Sequence, residues 1–429
     1  MVNDNMPGQI SLSWASTTPL NVIGSGSLAT LNLQVRPDAI PGTTTLLDLV
    51  SASLNEGRIE SVVGDGSITI LPPSFQVLDV RQMPNGLALG LPEAPDMEAF
   101  NLYDGPEDAA FDQADLTLTN GAGDDIALSA HWQDASRELL LLAAEALAPG
   151  EYTLTIDSRS DGLISASSGE LLDGNGDGTA GDAYSLSFTK SEAEHSLSIG
   201  DTARGAGQAL SLNGRGSHDP LTGEPTAGGA GLPIHFSTSA AVTSLSGSVS
   251  FDSSLFVADA LTVGADLPDD WSLSVDPSSP AGQLLYTASG STAIRGRDQE
   301  IVRFQATVAA AAAPPERGTA GNGVYGSTAL INASLSSDQL TGEAISVDPG
   351  LVALAYAGDS TGNGSLSSLD ASRVQRVVVG LDSGFEAYDD INPVLVDDTT
   401  GNGGLSSLDA SRIQQQVVGL PVDSFPMVA

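Results

Sequence analysis

Cysteine is absent from the 429 residues, which excludes disulfides, thiolate catalysis and cysteine-based zinc sites together. Lysine is almost absent too: Lys190 is the only one, and 15 basic residues stand against 54 acidic ones, a formal charge of −39. So acidic a surface repels phosphate and anionic lipid and attracts divalent cations, so nucleic acid is not an expected partner. A solvated surface suited to a salty habitat explains most of these charges, and only carboxylates at ligand spacing ask for more. Aromatic residues make up just 5%. Long apolar runs are missing as well. The longest, around Leu139 to Leu147, is interrupted by Glu145 and is too short to span a bilayer, so no membrane insertion is expected. The start, Met1-Val2-Asn3-Asp4-Asn5, has neither the charged head nor the apolar stretch of a signal peptide. Export is therefore inferred, and the chain is expected to be a piece of a longer one.

What is abundant is Leu, Val and Ile interspersed with Gly and Ser, the composition of short strands joined by many turns. The expected fold class is mainly all-β, with tandem β-sandwiches and a small α-helical C-terminal domain. Four segments are expected. In residues 1–73, Ile10, Leu12 and Trp14 alternate with polar residues, as do Leu31, Leu33 and Val35, then Ile68 and Ile70. Turn chemistry at Pro41-Gly42 separates these strands, and Pro72-Pro73 marks a boundary. Residues 74–190 carry strands at Leu87–Leu89, Leu116–Leu118, Leu139–Leu142, Tyr152–Ile156 and Tyr184–Phe188, with the number and spacing of an immunoglobulin-like sandwich. Residues 195–350 carry strands near Ser248–Phe251, Leu284–Thr287 and Ile301–Val308, with a surface loop at Ala309–Ala313. Residues 356–421 close the chain.

An internal repeat links the first and third segments. Pro7-Gly8-Gln9-Ile10-Ser11-Leu12 aligns with Ala281-Gly282-Gln283-Leu284-Leu285-Tyr286, Leu31–Val35 with Phe304–Val308, and Ser51–Leu54 with Asn332–Leu335. The first segment thus matches only the second half of the third. The pattern Gly247-Ser248-Val249-Ser250-Phe251-Asp252, then Gly282–Tyr286, then Ile301-Val302-Arg303-Phe304 resembles a cohesin domain. That resemblance implies a nine-stranded jelly-roll sandwich that binds dockerins. A half-sandwich would leave a sheet edge and an inner face open. Either the chain is cut there from a longer one, or another chain supplies the missing strands by strand addition.

The sharpest signal is Asp359–Asp370, repeated at Asp398–Asp409, two twelve-residue loops 39 residues apart. Calcium needs a crowd of hard oxygens, and an EF-hand-like loop supplies them at positions 1, 3, 5, 7, 9 and 12, with Gly at 6 for the sharp turn. Here these are Asp359, Thr361, Asn363, Ser365, Ser367 and Asp370, then Asp398, Thr400, Asn402, Gly404, Ser406 and Asp409. A short helix ending at Gly380 or Gly419 follows each loop. Two such loop-helix units resemble a dockerin. The resemblance implies partner contacts at loop positions 10 and 11, Ser368 and Leu369 with Ser407 and Leu408, and, because the pair repeats, two opposite binding orientations. Thr stands at position 3 and Asn at position 5, where that family commonly has Asn or Asp and then Asp or Asn, which leaves fewer carboxylates per loop, so weak calcium binding of the extracellular kind is expected. A third candidate lacks a following helix: Asp173, Asn175, Asp177, Thr179 and Asp182.

Other signals are weaker. Gly176–Gly181 spells a dinucleotide motif and Gly358–Gly362 a nucleophile elbow, but both lie inside acidic loops and no histidine follows the second. His131, His195, His218 and His235 are scattered, and Trp14, Trp132 and Trp271 fall one per sandwich, which suits packing better than sugar stacking. The expected function is non-catalytic, extracellular, calcium-dependent assembly with a cohesin-like domain of another protein or of another copy of this chain. The alternative is an adhesin-like or carbohydrate-binding segment, with polysaccharide as partner, in which calcium only stiffens the array.

Overall fold

The computed structural model describes residues 2–6, 9–13, 15, 29–34, 36, 39, 43–54, 56, 58–70, 74–105, 114–212, 231–314, 323–340, 344–420 and 422. Trp14, Val35, His218, Pro41-Gly42 and Pro72-Pro73 lie outside them. Two compact units emerge, Met1–Pro72 and Pro73–Ala429. The molecule is mainly β with a small helical region at the C-terminal end.

In the first unit, β1 (Val2–Met6) pairs antiparallel with β2 (Gln9–Leu12), and β3 (Thr44–Leu47) with β4 (Gly66–Thr69). Leu31 and Leu33, expected on a half-buried strand, belong to no strand and are exposed, as are Ile10, Leu12 and Leu46. Alternation makes a strand only where a facing layer rewards it, and the described residues of this unit provide none.

In the second unit, seven strands form two sheets. One, in the order β5-β6-β9-β8, contains Asp79–Met83, Gly86–Gly90, Glu138–Ala143 and Leu128–Gln133. The other, β11-β10-β7, contains Tyr184–Lys190, Gly150–Ile156 and Leu116–Asn120. Their inner faces enclose one core around Phe75, Phe100, Leu89, Leu118, Leu139 and Leu154, with Trp132 packed at its margin. Leu139 and Leu141 point into that core, whereas Leu140 and Leu142 point the other way and are buried too. An unbroken apolar strand is what a sheet covered on both faces requires.

Nine further strands form a single hydrogen-bonded network. They are β12 (His195–Ile199), β13 (Thr202–Ala203), β14 (Leu232–Ser250), β15 (Phe256–Val263), β16 (Ser272–Val275), β17 (Gln283–Val308), β18 (Thr328–Ser336), β19 (Ser346–Asp348) and β20 (Gly350–Ala353). The long strands β14 and β17 run antiparallel, and their register shifts repeatedly between Ile234 and Ser244. Those bulges divide β14 in two, its first part beside β12 and its last part beside β18. Phe236, Phe256, Phe304, Val249, Ile301 and Trp271 fill the core between them. Trp271 donates to the Thr292 carbonyl at 2.7 Å, a packed indole rather than a sugar platform. Ala310–Ala312, expected as a surface loop, form one 3-10 turn whose Ala312 is buried in this core.

Helices α1 (Ser368–Val378), α2 (Pro393–Asp397) and α3 (Ser407–Val417) complete the chain. A third core gathers Val374, Phe385, Tyr388, Ile391 and Ile413 against Met83, Ala88, Leu140 and Leu142 of the seven-stranded body and against Leu330, Leu351 and Ala353 of the nine-stranded one. Backbone bonds reinforce it: the Leu102 and Tyr103 amides donate to the Asp389 carbonyl and the Ala130 amide to that of Asp390. His131 Nδ1 lies 2.7 Å from Thr328 Oγ1 across the same junction.

Burial and the neighbouring Asp390 push Asp389 up to about 7, and burial alone pushes Asp390 to about 6 and Asp201 to about 8. These carboxyls bind protons more tightly folded than unfolded, so their stabilisation is complete below the ordinary carboxyl range and fades as pH rises towards 8. His131, pushed down to about 4 by burial, acts oppositely, but only as pH falls from 6.5 towards 4. In chelator, calorimetry should therefore show a melting temperature several degrees higher at pH 6 than at pH 8; a higher value at pH 8 contradicts this assignment.

Candidate metal centre

Each C-terminal loop is built by the helix that follows it. Ser367 caps α1, accepting from the Leu369 amide, while its own amide and hydroxyl both donate to Asp370 Oδ2 at 2.7 Å. The Ser-x-x-Asp spacing is a capping box, and it fixes the orientation of the Asp370 carboxylate. The other oxygen, Oδ1, turns back into the loop and accepts from the Thr361 amide at 2.9 Å and its hydroxyl at 2.7 Å. Ser406, Asp409 and Thr400 repeat the arrangement at the start of α3, with Ser406 hydroxyl to Asp409 Oδ2 at 2.7 Å and the Thr400 amide to Oδ1 at 2.9 Å.

The opposite end of each loop is held from position 1. Asp359 Oδ2 accepts from the Gly364 amide at 2.6 Å, and Asp398 Oδ2 accepts from that of Gly403 at 2.7 Å. The glycines at positions 4 and 6 have φ of 68° and 78° in the first loop and 68° and 85° in the second, the left-handed conformation that lets successive amides face one carboxylate. Thr361 Oγ1 lies 3.1 Å from Asp359 Oδ1, and the Thr400 hydroxyl donates to Asp398 Oδ1 at 2.9 Å. Oxygens of positions 1, 3 and 12 therefore converge in both loops. Asn363 and Asn402 each accept from the position-7 amide, of Ser365 and Gly404. The hydroxyls of Ser367 and Ser406 are committed to the caps, leaving position 9 to reach an ion through water, as that position often does.

Asp359, Asp370 and Asp409 are fully buried and Asp398 nearly so. Burial, and then repulsion from Asp370, raises the Asp359 pKa. Hard oxygens converging around buried carboxylates that repel one another are the donor set calcium takes, and these residues fit it. Bound calcium would supply a countercharge and an oxygen-coordinated crosslink between the two ends of each loop.

The third candidate loop shares the same opening. Asp173, 1% exposed, accepts from the Gly178 amide at 2.8 Å through Oδ2 and from the Gly176 amide at 2.8 Å through Oδ1. Gly176 and Gly178 have φ of 72° and 88°, matching positions 4 and 6 of the other two loops. Asn175 Oδ1 accepts from the Asp177 amide, Asp177 Oδ1 from the Thr179 amide, and Asp182 Oδ2 from the Asn175 side chain. A bridge between Asp173 and Asp182 closes this loop in place of a helix. Hydrogen bonds, the Ser74 hydroxyl first, hold the Asp173 pKa below the ordinary range.

The remaining site residues face outward. Ser368 and Ser407 are exposed, and Leu369 and Leu408 are each 55% exposed. Between α1 and α3 runs a groove in which Ser368, Ser372 and Gln375 oppose Ser407, Ser411 and Gln414, an approximate two-fold arrangement. The inward sides of the same helices enter the third core.

Sequence reading missed Tyr325. Its hydroxyl donates to Asp359 Oδ2 at 2.6 Å and accepts from the Tyr356 amide at 3.0 Å, so a residue of the nine-stranded body orients the first loop. No local motif marks a side chain 34 residues upstream. Tyr325→Phe removes a hydrogen bond to a buried carboxylate and should cost about 1.5–3 kcal/mol. Denaturant unfolding measures the loss, and calcium uptake should weaken at the first loop only.

No family model matches the chain, and no curated protein matches it. Among solved structures, it is similar to the sixth cohesin of scaffoldin B from Acetivibrio cellulolyticus, crystallised with a dockerin, at 14% identity over 38% of this chain and 99% of that one, TM-score 0.26. It is also similar to a non-cellulosomal cohesin from the archaeon Archaeoglobus fulgidus, at 10% identity over 37% and 90%, TM-score 0.26. A cohesin from Pseudobacteroides cellulosolvens gives 12% identity over 37% and 90%, TM-score 0.26.

Proposed function

We propose that this chain is a non-catalytic, extracellular assembly protein whose C-terminal region, residues 356–421, is a dockerin-like module folded around two calcium ions. The observation that carries this reading is the duplicated loop: two carboxylate-closed, helix-capping loops with matching hydrogen bonds, which leave Leu369 and Leu408 facing solvent at equivalent positions. Calcium binds the loops through Asp359, Thr361, Asn363, Asp370 and their counterparts, and so fixes the starts of α1 and α3. The outer face then presents Ser368, Leu369, Ser407 and Leu408 to a cohesin-like sandwich. Millimolar calcium outside the cell suits loops with two carboxylates each. Residues 195–350 form a cohesin-like sandwich and residues 74–190 an immunoglobulin-like one, a reading supported by their nine strands and by their sheets of four and three strands.

The partner we favour is the cohesin-like sandwich of a second copy, since one chain then carries both halves of the contact. Light scattering after gel filtration should show multimers in calcium that collapse to 43.5 kDa in chelator. Leu369→Asp combined with Leu408→Asp should stay monomeric while still taking up calcium. A wild-type monomer in calcium at every concentration sinks self-assembly and leaves a different protein as the partner.

A further inference from the structure

The two C-terminal loops carry the same residue types at positions 1, 3, 5, 9 and 12, yet their surroundings differ. The nine-stranded body covers the first. Beyond β17 the chain makes the Ala310–Ala312 turn, tied down by the Ala309 amide on the Leu255 carbonyl at 2.7 Å and by Ala312 in the core. Pro314 then packs on position 6 of the first loop so closely that a Cβ built on Gly364 would overlap Cβ and Cγ of its ring. One built on Gly362, at position 4, would stand 2.7 Å from the Ala387 side chain. Tyr325 of the same body donates to Asp359 Oδ2 at 2.6 Å, the oxygen that also takes the Gly364 amide. Both bonds fall on Oδ2, which fixes the carboxylate and leaves Oδ1 beside Thr361, where the loop oxygens converge.

Among the described residues the second loop has no such cover. A Cβ on Gly403 or Gly404 would meet nothing within 4 Å. Gly401, Asn402 and Gly403 are exposed, whereas Gly362 and Gly364 are half-buried. The bonds that hold Asp398 come from its own loop, from Thr400, Gly401, Asn402 and Gly403.

A site already shaped when empty binds more tightly than one shaped part of the time, because apparent affinity falls with the fraction of competent molecules. A hydrogen bond to a charged group is strong enough to shift that fraction by about tenfold or more. We propose that Pro314 and Tyr325 are positioning residues of the first calcium loop, so that it fills at lower calcium and empties more slowly than the second. The second loop, which starts α3, is then the one that responds to calcium concentration. The segment 309–314 acts as a strap rather than a surface insertion. The proposal rests on the calcium reading of both loops.

The test uses the full chain with the third loop silenced by Asp173→Ala. In that background Asp398→Ala leaves only the first C-terminal loop, and Asp359→Ala leaves only the second. Isothermal titration gives the calcium affinity of each, and stopped-flow mixing with chelator gives the release rate. The first loop should bind about tenfold more tightly and release more slowly. Tyr325→Phe and Pro314→Gly should each weaken the first loop towards the second, speed its release, and leave the second-loop chain unchanged, a selectivity that a general loss of stability would not produce. With both loops intact, uptake should proceed in two steps that draw together in Tyr325→Phe, a reading that needs no loop to be disabled. Equal affinities, a tighter second loop, or a first loop that stays tighter after both changes overturns the proposal, as does equal weakening of the two loops. Should neither loop take up calcium before Pro314 or Tyr325 is altered, the calcium reading fails first and this inference with it.

Discussion

Replacing Asp359 and Asp398 together by alanine should abolish calcium uptake at both C-terminal loops and unfold α1 and α3, while the nine-stranded body remains folded. Each position-1 carboxylate is the acceptor around which its loop turns: Asp359 takes the amides of Asn363 and Gly364, and Asp398 those of Gly401, Asn402 and Gly403 and the Thr400 hydroxyl. Truncation leaves these donors facing one another, at a cost of about 1–3 kcal/mol for each buried group stranded without a partner. The helices are 11 residues long, too short to persist without their loops and packing. Hydrogen exchange in calcium should show residues 368–417 losing protection and residues 232–308 keeping theirs. Unchanged protection of the helices would mean that packing, not the loops, holds them.

Phe385→Ala should separate docking from metal binding. The ring is fully buried in the core that joins the C-terminal helices to Met83, Ala88, Leu140 and Leu142 on one side and to Leu351 and Ala353 on the other. A Phe-to-Ala change at such a site costs about 3–5 kcal/mol. Neither C-terminal loop contains Phe385, so the two ions proposed there should still be taken up while the junction loosens. Limited proteolysis should then cut within residues 379–392 of the variant and spare the wild type. Should calcium uptake fall as well, the loops depend on the junction for their shape.

Much of this architecture was legible because it is local. A capping box lies within four residues and each acidic loop within twelve, so residue type at fixed spacing carries the backbone geometry. Strands such as Tyr152–Ile156 and Tyr184–Lys190 declared themselves by alternation. The run Leu139–Leu142 also carried information, since four consecutive apolar residues in a strand mean cover on both faces, but only the fold shows that the second cover is the C-terminal helical region. Tyr325 owes its position to that docking, and nothing within a few residues of it announces it. Leu31 and Leu33 failed in the opposite direction: their alternation was clear, yet among the described residues no layer faces them. The long strands β14 and β17 were seen only as fragments, because the bulges between Ile234 and Ser244 interrupt the periodicity a single strand would show.

The first and last strands of the nine-stranded body carry a mechanical consequence. β12 runs parallel to β19, Ser196 beside Ser346 and Ser198 beside Asp348, and β13 runs parallel to β20. Tension entering along the chain before β12 and leaving after β19 therefore pulls these neighbours lengthwise past each other. Their hydrogen bonds bear the load together instead of opening one after another from an end, as in a hairpin drawn apart at its tips. A tether built this way yields abruptly, at a force set by the whole seam.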